Sequence, residues 1–189
     1  MIARSLRLSL LLAVLAACSR GGEDRAAARP NVTVPPEIAT LAADALRAAS
    51  EIKVGGDIEA VLRAHQRSPR YAAAMAKHFA LMRELHRAGL EARLRYPRSS
   101  VAVQHDQFCQ RSGVAHLVVT AMVRYDMESI PPAAGAPPYT AGQEEHVFRF
   151  EQGPNGQWTM AAHHEIGLAE MHQKEVVARL RNPCARGAD

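Results

Sequence analysis

Residues 144–166 read EEHVFRFEQGPNGQWTMAAHHEI, and the alternation within them decides the fold. His146, Phe148 and Phe150 share one parity, against Glu145, Val147 and Arg149. Beyond the Gly153-Pro154-Asn155-Gly156 turn, Trp158, Met160, Ala162, His164 and Ile166 share a second, against Thr159, Ala161, His163 and Glu165. Successive strand side chains point to opposite faces, so two alternating runs joined by a tight glycine-bearing turn predict an antiparallel hairpin.

Upstream, Val114 to Met127 is the strongest strand. Ala115, Leu117, Val119, Ala121, Val123, Tyr125 and Met127 fall on one face, and the opposite face (Val114, His116, Val118, Thr120, Met122, Arg124) is also largely apolar. A strand covered on both sides belongs in the middle of a sheet, or offers one face to a second copy as a homodimer contact. Val101 and Val103 begin another strand. Between strands, residues 129–142 are rich in Pro, Ala and Gly, which predicts a long connection: a lid, a rim element or a disordered segment.

The first half has the period of helices. Ile38, Leu41, Ala42, Ala45, Ala49 and Ile52 recur at helical spacing until Gly55-Gly56. Asp57 is placed to cap a second helix, with Ile58, Val61, Leu62 and His65 on one face. Ser68-Pro69 is a cap followed by proline at the first helical position, and Tyr71, Met75, Phe79, Met82 and Leu85 then stripe a long third helix. A last helix over about 168–181 leads to Cys184. The class is α+β: three N-terminal helices followed by a curved antiparallel sheet, plus a short C-terminal helix, in one domain over 35–185.

This element order, with the hairpin Phe148-Arg149-Phe150 … Gly156-Gln157-Trp158-Thr159-Met160, resembles the nuclear transport factor two-like superfamily over residues 35–167. The resemblance implies a cone in which a curved sheet wraps a long helix around a pocket. It also implies that a small hydrolase, lyase or isomerase using Asp, Tyr or His is one possible activity. The helix and Cys184 after the last strand depart from that pattern, and an α+β sandwich built from the same elements is the alternative.

The N-terminus carries an address. Arg4 and Arg7 precede the apolar run Leu8 to Leu15, and Ala16-Ala17 lead to Cys18. This is the layout of an export signal over 1–17, far shorter than the roughly 20 apolar residues a spanning helix needs. Leu15-Ala16-Ala17-Cys18 resembles the lipobox of bacterial lipoproteins. That implies cleavage before Cys18, a diacylglyceryl (palmitate-type) modification of its sulfur, and an extracytoplasmic membrane anchor. An ordinary cleaved signal is the alternative. In families that sort lipoproteins, Asp after the cysteine favours inner-membrane retention, so Ser19 resembles the outer-membrane, periplasm-facing type. Residues 18–34, rich in Arg, Gly, Ala and Pro, read as a tether.

The formal charge of +4 loses Arg4 and Arg7 with the signal. What remains is uneven: residues 60–98 carry nine Arg/Lys against Glu84 and Glu91, and residues 126–175 carry eight Asp/Glu against Arg149 and Lys174. These blocks read as solvated faces that attract one another, or as a basic surface for anionic lipid or an acidic partner. Nucleic acid is excluded by the address and by the lack of an aromatic-interleaved basic motif. With Cys18 acylated, two thiols remain, Cys109 and Cys184. An oxidising compartment favours a disulfide between them, and two buried free thiols are the alternative.

Nine histidines raise the question of chemistry. His116, His146 and His164, in candidate strands, are the candidate catalytic residues if a curved sheet turns them into one cavity, with Asp106, Tyr125 and Asp126 as available partners. No spacing matches a metal signature, a nucleophile elbow, a phosphate loop or a dinucleotide fingerprint, so no cofactor and no metal is expected. The resulting expectation is a membrane-anchored binding or assembly module with a protein or small-molecule partner; the cone-fold enzyme is the alternative.

Overall fold

The first helix begins where proline allows it. In the computed structural model, Pro36 opens α1 (Pro36–Lys53), and Glu37 in its first turn accepts a hydrogen bond from the Trp158 backbone N–H at 3.2 Å. Asp57 caps α2 (Ile58–Ala64) by accepting from Glu59 N–H at 2.7 Å. Ser68 caps α3 (Pro69–Glu91) by accepting from Tyr71 N–H. Each start signal in the sequence is therefore used as a cap or a first-turn proline. The structure describes residues 32–65, 68–167 and 174–185. The signal over 1–17, Cys18, the tether as far as residue 31 and the first part of the expected 168–181 helix lie outside them. The described residues belong to a compact unit over Asn31–Asp189. Among them, no helix is long and apolar enough to cross a membrane.

After α3 come β1 (Leu94–Arg95), β2 (Ser99–Arg111), β3 (Val114–Asp126), β4 (Glu128–Ser129), β5 (Tyr139–Gln152) and β6 (Trp158–Glu165), and then α4 (Lys174–Arg181). β2-β3-β5-β6 form one antiparallel sheet with β3 central, and β1 pairs with β4 in a small second sheet. This is the expected α+β class, an arrangement compatible with a cone-like fold. β5 begins five residues before the expected Glu144, so the connection is shorter than the 129–142 stretch suggested. The reason is pairing: Tyr139 to Gln143 complete the ladder opposite Asp126 to Met122, and Arg124 lies over the Tyr139 ring at 4.0 Å. Sheet context thus overrides the weak strand propensity of Thr140-Ala141-Gly142.

Two bulges shape the sheet. One falls at Asp106 in β2. The other falls in β6, where Phe150 pairs with Met160 but Arg149 pairs with Ala162, leaving Ala161 as an extra residue. The inner face carries Leu117, Val119, Phe148, Phe150 and Met160, on which Ile38, Met75 and Phe79 of α1 and α3 pack to form the core. Small residues in α1 (Ala42, Ala45, Ala48, Ala49) are fully or almost fully buried and let the helices approach closely. Gly89 near the end of α3 lies so close to Tyr96 that an added Cβ would stand 2.6 Å from the ring.

The outer face is partly covered by the chain itself. Val118, Val147 and Ile166 pack against Val177 and Leu180 of α4, Arg181 reaches Glu145 at 2.9 Å, and Cys109 is joined to Cys184. This accounts for the apolar character of both faces of β3 at Val118. The two charge blocks also meet. Arg70 pairs with Glu151, Arg95 with Glu128, and Arg98 with Asp126 at 3.0 Å.

The disulfide closes a loop of 75 residues, for which the chain-entropy model gives roughly 4 kcal/mol. Replacing Cys109 and Cys184 together by Ser should lower the urea midpoint by a corresponding amount. An unchanged midpoint would show that α4 is held by its apolar contacts alone.

Candidate functional site

Where α3 crosses β5 and β6, the core changes from apolar to polar. His78 sits on the buried stripe of α3, one residue before Phe79. His146 follows the alternation of Phe148 and Phe150, and so lies fully buried on the inner face. His163 and Glu165 come from β6, where they pair with Phe148 and His146 respectively. Their inward direction follows from the bulge: with Ala161 left unpaired, parity shifts by one, and His163 and Glu165 replace His164 on the face shared with Met160.

The three imidazoles pack edge and face, with centroids 5.0–5.4 Å apart, and Phe148 stacks on His163 at 4.7 Å. His146 Nδ1 lies 3.1 Å from His163 Nε2, and His146 Nε2 lies 3.2 Å from a Glu144 oxygen. A carboxylate cannot donate, so Glu144 accepts from His146 Nε2. A Glu165 oxygen lies 2.7 Å from His78 Nδ1, a pairing that draws the carboxylate toward its charged form. A cavity of about 200 Å³ opens beside the group between α3 and β6, lined by Ala74, Lys77, His78, Leu81, His163 and Glu165 among others.

The environment separates the protonation states. Burial holds the His163 imidazole well below its ordinary value, and the neighbouring His146, His78 and His164 rings push in the same direction. Glu165 is held below the usual carboxylate range by His78, against the opposing effect of burial. Farther along the inner face, burial pushes Tyr125 up, reinforced by Glu144 and Glu165. Burial also lowers Lys53, whose ammonium lies 4.7 Å from the Tyr96 ring and 5.3 Å from Tyr125. A polar seam therefore runs through the core from Lys53 to His78.

Of the candidate histidines from the sequence, the structure places only His146 in this seam, with the candidate partner Tyr125 farther along it. His116 pairs with Cys109 on the outer face near α4, where burial and then Arg149 lower its pKa. His164 pairs with Val147 and turns to the outer face, because the bulge reverses the parity that plain alternation gives it. Asp106, at the β2 bulge, accepts from Thr120 Oγ1 at 2.6 Å on the outer face, and Asp126 ends its strand in an ion pair with Arg98. His116, His146 and His164 thus do not converge. His78, His163, Glu165 and Glu144 do join His146; of these, only His78 left a sequence signal, as a polar residue beside the stripe of α3.

No protein-family model matches the chain, and no curated protein matches it. Among solved structures it is similar to the intermembrane space region of the chloroplast protein ARC6 (TM-score 0.39, 11% identity, covering 69% of this chain and 98% of that one). It is also similar to AclR, a putative hydroxylase from Streptomyces galilaeus (TM-score 0.28, 15% identity, covering 67% and 77%).

The depressed pKa of His163 fixes the sign of an acid effect. Below the ordinary imidazole value of 6.5, the unfolded chain binds a proton that the folded chain refuses. Stability is therefore full above that value and falls as pH drops below it. Glu165 adds to the loss below its ordinary 4.5. The urea midpoint should be lower near pH 5 than near pH 7.5, a range chosen to bracket the imidazole value. His163→Gln should shrink the difference, and equal midpoints for the wild type would contradict the buried neutral ring.

Proposed function

We propose that this chain is a lipid-anchored extracytoplasmic binding module: a cone-like domain of the nuclear transport factor two-like type, held at the membrane by an acylated Cys18. The Leu15-Ala16-Ala17-Cys18 sequence supports the anchor, Ser19 supports an outer membrane and a periplasmic face, and the 18–34 segment supplies reach. One observation carries the binding reading: His78, His146, His163 and Glu165 gather beside a small cavity in a domain whose remaining interior is filled by Phe79, Phe148, Phe150, Met75 and Met160.

Size favours binding over the hydrolase, lyase or isomerase reading. Sites for metabolite-sized ligands usually span about 300–1,000 Å³. The cavity here, about 200 Å³, suits an ion or a ligand of a few atoms. The oxidising compartment implied by the anchor also agrees with the Cys109–Cys184 bond.

The anchor is tested by expression of the full chain in a two-membrane bacterium with labelled palmitate. The wild type should take up label and sediment with the outer membrane, whereas Cys18→Ala should lose both properties. Label on Cys18→Ala, or an unlabelled wild type in the soluble fraction, would sink the reading.

A further inference from the structure

We propose that the polar centre beneath α3 binds one divalent transition-metal ion of the zinc class, with His78, His146 and Glu165 as ligands; this deepens the binding-module reading and rests on it. Three elements supply the donors: His78 comes from α3, His146 from β5 and Glu165 from β6. One donor atom from each lies within 4.8 Å of the others. A tetrahedral ion with bonds of about 2.0 Å holds its donors roughly 3.3 Å apart. The His78 Nδ1–Glu165 Oε2 separation of 2.7 Å and the 4.8 Å limit of the set bracket that spacing. Small side-chain rotations would close the group on an ion.

Donor chemistry selects the ion. Two imidazole nitrogens and one carboxylate oxygen suit zinc and its neighbours, whereas calcium and magnesium favour all-oxygen sets. The His78 ring is 4% exposed, and its Nδ1 faces the Glu165 carboxylate 2.7 Å away. Two ligand-type groups are thus already held together in the interior, and an ion between them would take the place of their direct contact.

The surroundings fit as well. Glu144 accepts from His146 Nε2 and so orients the ring with Nδ1 as its donor, the usual support for a ligating histidine. The contact between His146 Nδ1 and His163 Nε2 is the one that an arriving ion displaces. Glu144 and Glu165 together balance a double positive charge, and Lys77 at the cavity rim has a stem long enough to carry its ammonium into water. The cavity beside His78 and Glu165 leaves room for a water or a small anion at a remaining coordination position.

No short motif announces such a site, because every ligand lies on a different element and Glu165 reaches it through a bulge. That separates it from sites built on a single helix, where two histidines four residues apart are legible in the sequence.

The test uses the full-length chain in detergent, stripped with a chelator and titrated with zinc by calorimetry. The wild type should bind one zinc per chain. Loss of a residue that only supports a ligand typically weakens metal binding by about 10–100-fold, so His78→Gln and Glu165→Gln, which remove ligands outright, should each weaken it by more than about 100-fold. His116→Gln, on the outer face and away from the cavity, should leave it unchanged. Unfolding midpoints without zinc check that the variants fold. Should one fail to fold, cobalt added to the stripped wild type decides the matter: a strong visible ligand-field spectrum of tetrahedral type supports the site, and its absence overturns it. No zinc uptake by the wild type, or equal uptake by the His78→Gln and Glu165→Gln variants, overturns the proposal too. Palmitate labelling is indifferent to all of these results, so a chain that is acylated yet binds no zinc loses this inference and keeps its anchor.

Discussion

Laying α3 across the inner face of the sheet removes from water whatever that face carries. Phe79, Phe148, Phe150, Met75 and Met160 gain from this, each fully buried large side chain contributing about 1.5–3 kcal/mol. His78 and His146 are buried by the same closure. An unsatisfied buried polar group costs about 1–3 kcal/mol, so the apolar contacts can carry a few such groups, but not many. Burying an isolated ionised group would cost far more, which is why burial holds the His163 imidazole well below its ordinary value.

The charge asymmetry of the chain works on a different scale. Arg70–Glu151, Arg95–Glu128 and Arg98–Asp126 join the basic first half to the acidic second half. Each involves at least one well-exposed partner, and such pairs typically contribute 0–1 kcal/mol. They fix how helices and sheet face one another more than they hold them together. That work falls to the core and to the Cys109–Cys184 bond, which secures α4 over Val118 and Val147.

Most of the architecture was legible because its signals are local. Asp57, Ser68-Pro69 and the Gly153–Gly156 turn mark element ends by backbone chemistry that tertiary packing did not override. Periodicity located the core stripe of α3 from Tyr71 to Met82, though Leu85, which it also put there, is exposed, and it located the parity of β3 and β5. The start of β5 was not legible, since Thr140-Ala141-Gly142 form strand only because β3 offers them partners. At the site, His146 was readable from its alternation with Phe148 and Phe150. His163 and Glu165 were not. Simple counting from Trp158 selects His164, and the extra residue that reverses the count leaves no mark in a run as plain as Met160-Ala161-Ala162.

That extra residue separates the identity of the site from its spacing. The inward positions of β6 are 158, 160, 163 and 165, with Ala161 standing outside the ladder. A strand lacking it could keep the same partners on β5, the same inward histidine and the same inward glutamate, and be one residue shorter. Two chains with equivalent centres would then differ by a gap opposite Ala161, and a pattern written at fixed spacing would match one and miss the other. In this fold, ancestry at the site is to be traced through which strand residues pair across the ladder, and an alignment that penalises the gap will place the wrong histidine in the column.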